Sequence, residues 1–250
     1  MKLQLPKTFL KFLFIAVLFL GQISYGQFSE DFTDGNFTSS PVWSGNTTNF
    51  SIETASPYVS GGASTDGSYL ASSATVGNIT LTTPSTEVNE WKFSLGTGDF
   101  SPSTTNYFGV ILMSSVAVSG NITSTSWNGY FLKIGNTSPD PIELWKKTGA
   151  GTGTKVGAFP SSPNYNGNAL NAGLNIRVTR NASGVFELFY STGFTYAATP
   201  TNSAGTLTDT SVTTSSYFGI YSVFVNPSTA RRMFFDNIVI GTPPTGPAVT

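Results

Sequence analysis

The chain has 250 residues, of which 39% are hydrophobic, 14% aromatic and 10% charged, so it can build a core and is too apolar for a disordered polymer. Removing residues 1–26 changes the formal net charge from −1 to −4, because 9 basic residues then face 13 acidic ones; this gives no positive patch for nucleic acid or for an anionic membrane. The chain has no cysteine and no histidine, which excludes disulfide bonds, Ser-His-Asp and Cys-His catalysis, and histidine-based zinc sites.

The first 26 residues have the pattern of a secretory signal peptide. Three lysines precede an apolar run at residues 12–20, and small residues at Ser24 and Gly26 favour cleavage before Gln27. The apolar run is short for a membrane span, so an uncleaved anchor is the less favoured alternative. We therefore expect a secreted or cell-surface protein that does not stay inserted in a membrane, whose folded domain covers residues 27–241.

Short alternating apolar runs follow, separated by loops rich in Gly, Ser and Asn. Their length and period of two predict strands, and none of the chain after Gln27 has a convincing helical pattern. The fold class predicted from this pattern is an all-β sandwich. The runs are 49–53, 78–82, 90–95, 107–114, 129–134, 142–146, 174–180, 185–191, 217–225 and 232–240.

Two of the runs form predicted hairpins. The first covers residues 127–147. A register that places Ile134 across from Ile142 aligns apolar residues with apolar residues and a lysine with a glutamate, and a shift by one residue would break both alignments. The resulting cross-strand pairs are Lys133–Glu143, Leu132–Leu144 and Phe131–Trp145. In the second, residues 181–184 supply the turn, and Arg177 is expected to pair with Glu187 across the strands.

The last residues, 242–250, contain three prolines and a glycine. Proline cannot continue a central strand, so this segment is predicted to be a linker, leading to a downstream domain of a longer protein.

Several runs, taken in order, resemble one known family. They are SEDFTDGNFTSSPVWSG, WNGYFLKIG, DPIELWKK, IRVTRNASGVFELFY, SYFGIYSVF and RRMFFDNIVIG. Together they are similar to the N-terminal concanavalin A-like (laminin G-like) jelly-roll domain of secreted Bacteroidetes multidomain proteins. Such domains precede lamin-tail or immunoglobulin-like modules and a type IX secretion sorting domain. The resemblance covers most of residues 28–241. It implies a concanavalin A-like fold, which is a two-sheet antiparallel jelly-roll sandwich, within a longer surface protein.

The resemblance also raises the question of catalysis, since concanavalin A-like sandwiches include glycosidases of family 16. Those enzymes carry a Glu-x-Asp-x-Glu run whose carboxylates share one strand face. Here the acids are scattered, and no pair has that spacing along a strand. The closest groups are Glu30, Asp31 and Asp34, then Glu87 and Glu90, then Asp140 and Glu143. A non-catalytic module is therefore predicted, and an enzyme with carboxylates from separate strands stays an alternative.

A calcium ion is the cofactor that the resemblance implies, tying the first strand to the last. The matching residue is Asp236, with Glu30 as its companion from the first strand. Calcium needs six to eight oxygen ligands, of which only these two side chains can be named. The alternative is that Asp236 is half exposed, or bonds backbone amides and Arg231 or Arg232.

The first hairpin supplies the candidate ligand site. Phe131 and Trp145 would share one face with Lys133 and Glu143, while Trp127 lies at the mouth. Exposed aromatic faces beside polar groups are suited to carbohydrate. The alternative is that a loop covers this face, or that it is the core. The opposite face is more uniformly apolar and favours the core; it contains Tyr130, Leu132, Ile134, Ile142 and Leu144, and Trp43 and Trp91 are also assigned to the core.

These patterns favour a non-catalytic module that binds a glycan or another cell-surface component, as in adhesion. A structural spacer without a ligand site is the second interpretation, and a glycan-cleaving enzyme is the third.

Overall fold

The alternating apolar runs fold into two stacked antiparallel sheets. The computed structural model describes residues 28–53, 67–70, 76–83, 88–97, 102–123, 125–137, 139–163, 173–193, 199–224 and 233–241. These residues form fifteen strands and a single turn of 3-10 helix at Thr47–Asn49. The predicted all-β jelly-roll sandwich is confirmed. The predicted signal peptide and the predicted linker at 242–250 lie outside the described residues.

The first sheet has eight strands. They are β1 (Phe28–Glu30), β3 (Phe50–Glu53), β4 (Gly67–Leu70), β6 (Glu90–Thr97), β11 (Leu174–Arg180), β12 (Val185–Thr192), β13 (Asn202–Thr208) and β15 (Met233–Gly241). Their order across the sheet is β13-β12-β11-β6-β15-β4-β3, and β1 also pairs with β15. In that pairing Phe28 lies opposite Ile240, so the first and last described strands are side by side.

The second sheet has seven strands. They are β2 (Ser44–Gly45), β5 (Val76–Thr82), β7 (Asn106–Ser114), β8 (Trp127–Lys133), β9 (Glu143–Gly149), β10 (Thr154–Ala158) and β14 (Tyr217–Phe224). Their order is β10-β9-β8-β7-β14-β5-β2. The strands β7, β8 and β9 therefore lie next to one another, and this places their outward-facing residues on one continuous surface.

The core fills the space between the two sheets. Inward-facing residues of alternating strand positions come together there, as the period of two requires. The five apolar residues predicted for the inner face of the first hairpin all belong to it, and so do Trp43 and Trp91. The choice of inner face is therefore confirmed.

The predicted register of the first hairpin is confirmed. Phe131 pairs with Trp145, and Lys133 pairs with Glu143. Because the side-chain period is two, this register turns Phe131, Lys133, Glu143 and Trp145 to the outside of the second sheet.

The predicted pairing of Arg177 with Glu187 is wrong. The register of β11 and β12 places Arg177 opposite Phe189, and Glu187 opposite Thr179. Arg177 instead forms a salt bridge of 2.8 Å with Glu90 on the neighbouring strand β6. The hairpin sequence alone does not contain this partner, because β6 comes about ninety residues earlier in the chain.

Glycines allow β7 and β8 to approach closely. A Cβ atom added at Gly129 would lie 1.8 Å from the Met113 carbonyl oxygen, and one added at Gly109 would lie 2.0 Å from that of Leu132. Both distances are far below van der Waals contact, so the pairing of these strands requires glycine at the two positions.

Within the described residues, no helix is long and apolar enough to cross a membrane.

Candidate functional site

A second apolar cluster covers the outer face of the second sheet, separate from the core. It contains Ile111, Val118, Ile122, Trp127, Phe131 and Tyr221, with Tyr107, Trp145 and Val223 packed against it. Val118 and Ile122 come from the segment that joins β7 to β8, and both are buried. This segment therefore folds back over part of the outer face. The alternative that a loop covers the face holds for Trp127 and Phe131, which are 2% and 4% exposed, whereas Trp145 is only half-buried.

The segment is held down by its Ile122 carbonyl oxygen. The Trp127 indole N–H donates to this oxygen at 3.1 Å, and the Lys147 ammonium donates to it at 2.6 Å. Lys147 is itself buried, and burial lowers the pKa of its ammonium. Trp127 was predicted to contact a ligand; its ring lies beneath the covering segment and supports the site from behind.

Beside this covered part lies a groove with a volume of about 310 Å³. We call it the aromatic groove and define it by its described lining residues, which are Thr104, Tyr107, Ile122, Thr123, Phe131, Lys133, Trp145 and Thr152. Three of the predicted ligand residues, Phe131, Lys133 and Trp145, are thus brought together. Its described lining combines three aromatic side chains with one cation and three threonines.

Ring packing fixes the aromatic wall of the groove. Phe131 and Trp145 stack with centroids 6.0 Å apart and planes at 29°. Behind them Tyr221 meets the Phe131 ring edge-on, at 5.9 Å and 80°. Such aromatic pairs contribute about 0.5–1.5 kcal/mol beyond the area they bury, so the wall is preformed rather than assembled by a ligand.

Lys133 places its ammonium against two of these rings. The nitrogen lies 4.4 Å from the centroid of Tyr107 and 4.9 Å from that of Trp145. It forms no salt bridge with any described residue. Burial lowers the pKa of Lys133, the Glu143 charge acts to raise it, and Lys155 lowers it further. The ammonium is therefore partly stripped of water and held by aromatic faces.

Glu143 was predicted as a ligand residue, and the structure places it beneath the groove wall. Its side chain is 1% exposed. The Trp145 indole N–H donates to it at 2.8 Å and the Asn136 amide at 2.7 Å. Its salt bridge is with Lys155 of β10 rather than with Lys133. Glu143 thus orients Trp145 and does not line the groove.

Sequence analysis missed part of the lining. Tyr107 could have been found, because it lies two residues before Gly109 and four before Ile111 on the same face of β7. Thr104, Thr123 and Thr152 lie outside the strands, and no strand periodicity applies to them.

Glu30 is buried at the end of β1, and both of its oxygens have donors. The Phe32 backbone N–H donates to one at 2.6 Å, and the Trp43 indole N–H donates to the other at 3.1 Å. Burial raises the pKa of this carboxyl, the two hydrogen bonds lower it, and Asp31 and Asp34 raise it, with a net increase.

Asp236 is 6% exposed, so it is not the half-exposed residue of the alternative interpretation. Its carboxylate accepts from the Asn237 backbone N–H at 2.7 Å and from the Asn237 side-chain amide at 3.1 Å. Arg231 and Arg232, its alternative partners, lie outside the described residues.

The two carboxylates do not fit a calcium ion as a pair. N–H donors already occupy both oxygens of Glu30, and Asn237 donates twice to Asp236. Calcium requires six to eight oxygen ligands, and the described residues contain no group of three Asp, Glu, His or Cys that could hold a metal. A calcium ion that joins the first strand to the last therefore stays a prediction, and the contacts of Glu30 and Asp236 do not favour it.

Among the described residues, the carboxylates considered for hydrolysis have structural partners. No described lining residue of the groove is acidic. Asp140 and Glu143 are bridged by Asn136, whose backbone N–H donates to Asp140 at 2.6 Å, but the Glu143 charge is paired with Lys155. Glu90 pairs with Lys92 and Arg177 on the first sheet. Each of these carboxylates has a structural partner.

The sequence matches no protein-family model and no curated protein sequence. Solved structures do match. The exoplasmic/lumenal domain of VIP36 in its Ca²⁺/Man-bound form is 10% identical, with a TM-score of 0.54 over 91% of this chain and 93% of that one. The carbohydrate recognition domain of Emp47p is 9% identical, with a TM-score of 0.51 over 88% of this chain and 96% of that one. At this identity the likeness establishes the fold alone, that of the lectin-like, concanavalin A-like β-sandwich.

Proposed function

We propose that this protein is a non-catalytic carbohydrate-binding module, and that the aromatic groove is its binding site. The observation that carries the proposal is the lining of the groove, in which the Phe131–Trp145 stack and Tyr107 are surrounded by threonine hydroxyls and Lys133. The C–H faces of a sugar ring pack against aromatic rings, and sugar hydroxyls exchange hydrogen bonds with short polar side chains. The volume of about 310 Å³ is at the lower end of ligand pockets, which suits one or two sugar residues of a longer glycan.

Structural likeness supports the proposal. VIP36 was also solved in a Ca²⁺/Man3GlcNAc-bound form, which matches this chain with a TM-score of 0.53 at 9% identity over 87% of it. Two proteins of the same architecture are thus linked to sugars: the VIP36 domain was solved with Man3GlcNAc bound, and the Emp47p domain is named a carbohydrate recognition domain. Carbohydrate sites thus occur on this fold, which supports the proposal that the aromatic groove is such a site.

The setting of the module belongs to the same proposal. We take residues 1–26 as a signal peptide, 27–241 as the sandwich domain, and 242–250 as a linker to further domains of a secreted or surface protein of the Bacteroidetes type. A glycan or another surface component is its partner in adhesion, and no nucleic acid is. A spacer without a ligand site remains the competing function, followed by a glycan-cleaving enzyme.

Calcium does not form part of the binding mechanism proposed here. It occurs in the VIP36 structures named above, but the donors around Glu30 and Asp236 are N–H groups, and neither residue lines the aromatic groove. If calcium binds, its role is structural.

The test is binding of the full chain to an oligosaccharide array, repeated with Trp145→Ala. Removing the indole takes away one wall of the groove, and we expect binding to weaken at least tenfold, about 1.4 kcal/mol. Phe189→Ala is the matched control, because Phe189 is a half-buried aromatic residue on β12 of the other sheet, beneath Arg177. Its removal is expected to leave binding unchanged.

Circular dichroism of both variants separates loss of binding from loss of fold. Equal loss in the two variants, or no glycan binding by the unaltered chain, contradicts the proposal and favours the spacer. Hydrolysis of a glycan that disappears when one carboxylate is removed would instead support the enzyme.

A further inference from the structure

We infer that the aromatic groove is selective for an acidic sugar, one that carries a carboxylate or a sulfate group, and that Lys133 is the residue that recognises the negative charge. This inference rests on the proposed function and specifies the class of glycan.

The first argument is the charge of the groove. Among its eight described lining residues Lys133 is the only charged one, and the others are aromatic, aliphatic or threonine. The groove is therefore locally positive on a chain whose formal net charge is negative. The charge is also fixed in position, because the ammonium lies between the rings of Tyr107 and Trp145.

The second argument is that the nearest carboxylate is committed elsewhere. Glu143 is the cross-strand neighbour of Lys133 and would be its natural partner. Instead it accepts from Lys155, from the Asn136 amide and from the Trp145 indole. Its charge is therefore paired with Lys155, and two further donors hold its orientation. Among the described residues, Lys155 thus takes the charge of Glu143, and the ammonium of Lys133 faces aromatic rings.

The third argument concerns desolvation. An ammonium group has three donors, and aromatic faces attract its charge without accepting strong hydrogen bonds. Lys133 is half-buried, and burial lowers its pKa. A sugar carboxylate or sulfate stacked on Trp145 would supply charge-assisted hydrogen bonds to this ammonium in a partly water-excluded site, where such bonds are strongest. A neutral sugar would gain only the weaker hydroxyl contacts.

The experiment compares matched pairs of glycans on one array. Each uronic-acid oligosaccharide is printed beside its carboxyl-reduced form, and each sulfated oligosaccharide beside its desulfated form. We expect the full chain to bind acidic members at least tenfold more tightly than their neutral counterparts. The two kinds of pair distinguish a carboxylate ligand from a sulfate ligand. Binding is also expected to weaken between about 0.1 M and 1 M salt, as the screening length falls from about 10 Å to 3 Å.

Three variants assign the selectivity to one residue. Lys133→Met keeps the length and apolar stem of the side chain and removes its charge, so we expect the preference for acidic members to disappear. Lys133→Arg keeps the charge and is expected to retain the preference. Lys92→Met is the matched control, since it removes a half-buried lysine of the other sheet that pairs with Glu90 at 2.9 Å. It is expected to bind like the unaltered chain.

The outcomes separate this inference from the proposed function. Equal binding to both members of each pair, lost in Trp145→Ala, overturns the acidic selectivity and leaves the carbohydrate module standing. A preference for acidic members that persists in Lys133→Met overturns the role of Lys133. Binding to neither member overturns the proposed function, and the inference with it.

Discussion

Asp209 is a single residue that connects the two sheets. It follows β13 of the first sheet, and its carboxylate accepts from the Tyr130 hydroxyl at 2.6 Å and from the Lys146 ammonium at 2.7 Å, both of the second sheet. Burial would raise the pKa of Asp209, but the bonds from Lys146, Tyr130 and Ser211 outweigh it and hold the pKa well below its usual range. Burial and the bond to Asp209 raise the pKa of Tyr130 to about 12.

The depressed pKa predicts how stability depends on pH. The carboxyl group of an unfolded aspartate has a pKa of about 3.9. The stabilisation from the Asp209 charge is therefore complete above that pH, and it is lost as the pH falls through the lower pKa of the folded state. We expect Asp209→Asn to lower the free energy of unfolding by about 1–3 kcal/mol at pH 7. The difference from the unaltered chain should shrink as the pH approaches 2. Urea denaturation at both pH values measures it, and a difference that does not change with pH would contradict the assignment.

Charged residues also show how far a sequence can predict contacts. The register opposing Lys133 and Glu143 could be predicted, because both lie in one hairpin whose apolar pattern allows a single alignment. The partner that Glu143 takes, Lys155, comes from the next strand, and Arg177 likewise pairs with Glu90 of a distant strand. The alternation within a hairpin predicts which face of the sheet a side chain lies on. It does not predict which other strand of the sheet will lie beside the hairpin.

At the scale of elements, the close approach of β7 and β8 decides the shape of the groove, because β7 carries Tyr107 and β8 carries Phe131 and Lys133. Gly129 faces the Met113 carbonyl oxygen at the point where these strands meet, and no side chain fits between them.

Gly129→Ala is therefore expected to separate β7 from β8. Its Cβ would lie 1.8 Å from a backbone atom that cannot move without breaking the sheet, so we expect a loss of about 3 kcal/mol or more in the free energy of unfolding. Gly120→Ala is the control. Gly120 has a φ of +73° and no atom within 4 Å of its added Cβ, so only the backbone cost of about 1–2 kcal/mol applies there. Denaturation of both variants gives the comparison, and equal losses would contradict the steric argument.

The strands of the groove could be predicted from the sequence, whereas the segment that covers part of it could not. The strand residues of the groove follow from alternation on β8 and β9, which identified Phe131, Lys133 and Trp145. The covering segment between β7 and β8 has no such period, and its position depends on the Ile122 carbonyl meeting Trp127 and Lys147. The burial of Trp127 therefore could not be predicted from the hairpin that contains it.

At the scale of the whole molecule, the first and last described strands are joined by backbone hydrogen bonds and by apolar packing. Glu30 lies opposite Ile238 in this pairing, and Ile238 and Ile240 belong to the core. An N–H group donates to each oxygen of Glu30, so hydrogen bonds within the protein compensate the burial of this carboxylate.

We accordingly expect calcium to leave the unfolding temperature of the full chain unchanged. The measurement is thermal unfolding in millimolar Ca²⁺ and again in excess chelator. A ligand that binds only the folded state at a hundredfold excess over its Kd would add about 2.7 kcal/mol, which is readily detected. A rise in calcium that is absent in Asp236→Asn would contradict this expectation and restore the tie between the first and last strands.

The pairing of Phe28 with Ile240 has a further consequence for the aromatic groove. Both ends of the described chain leave from the first sheet, whereas the aromatic groove opens on the outer side of the second. Neither β1 nor β15 contributes a described residue to the groove, so its lining does not depend on the strands at the two ends of the described chain.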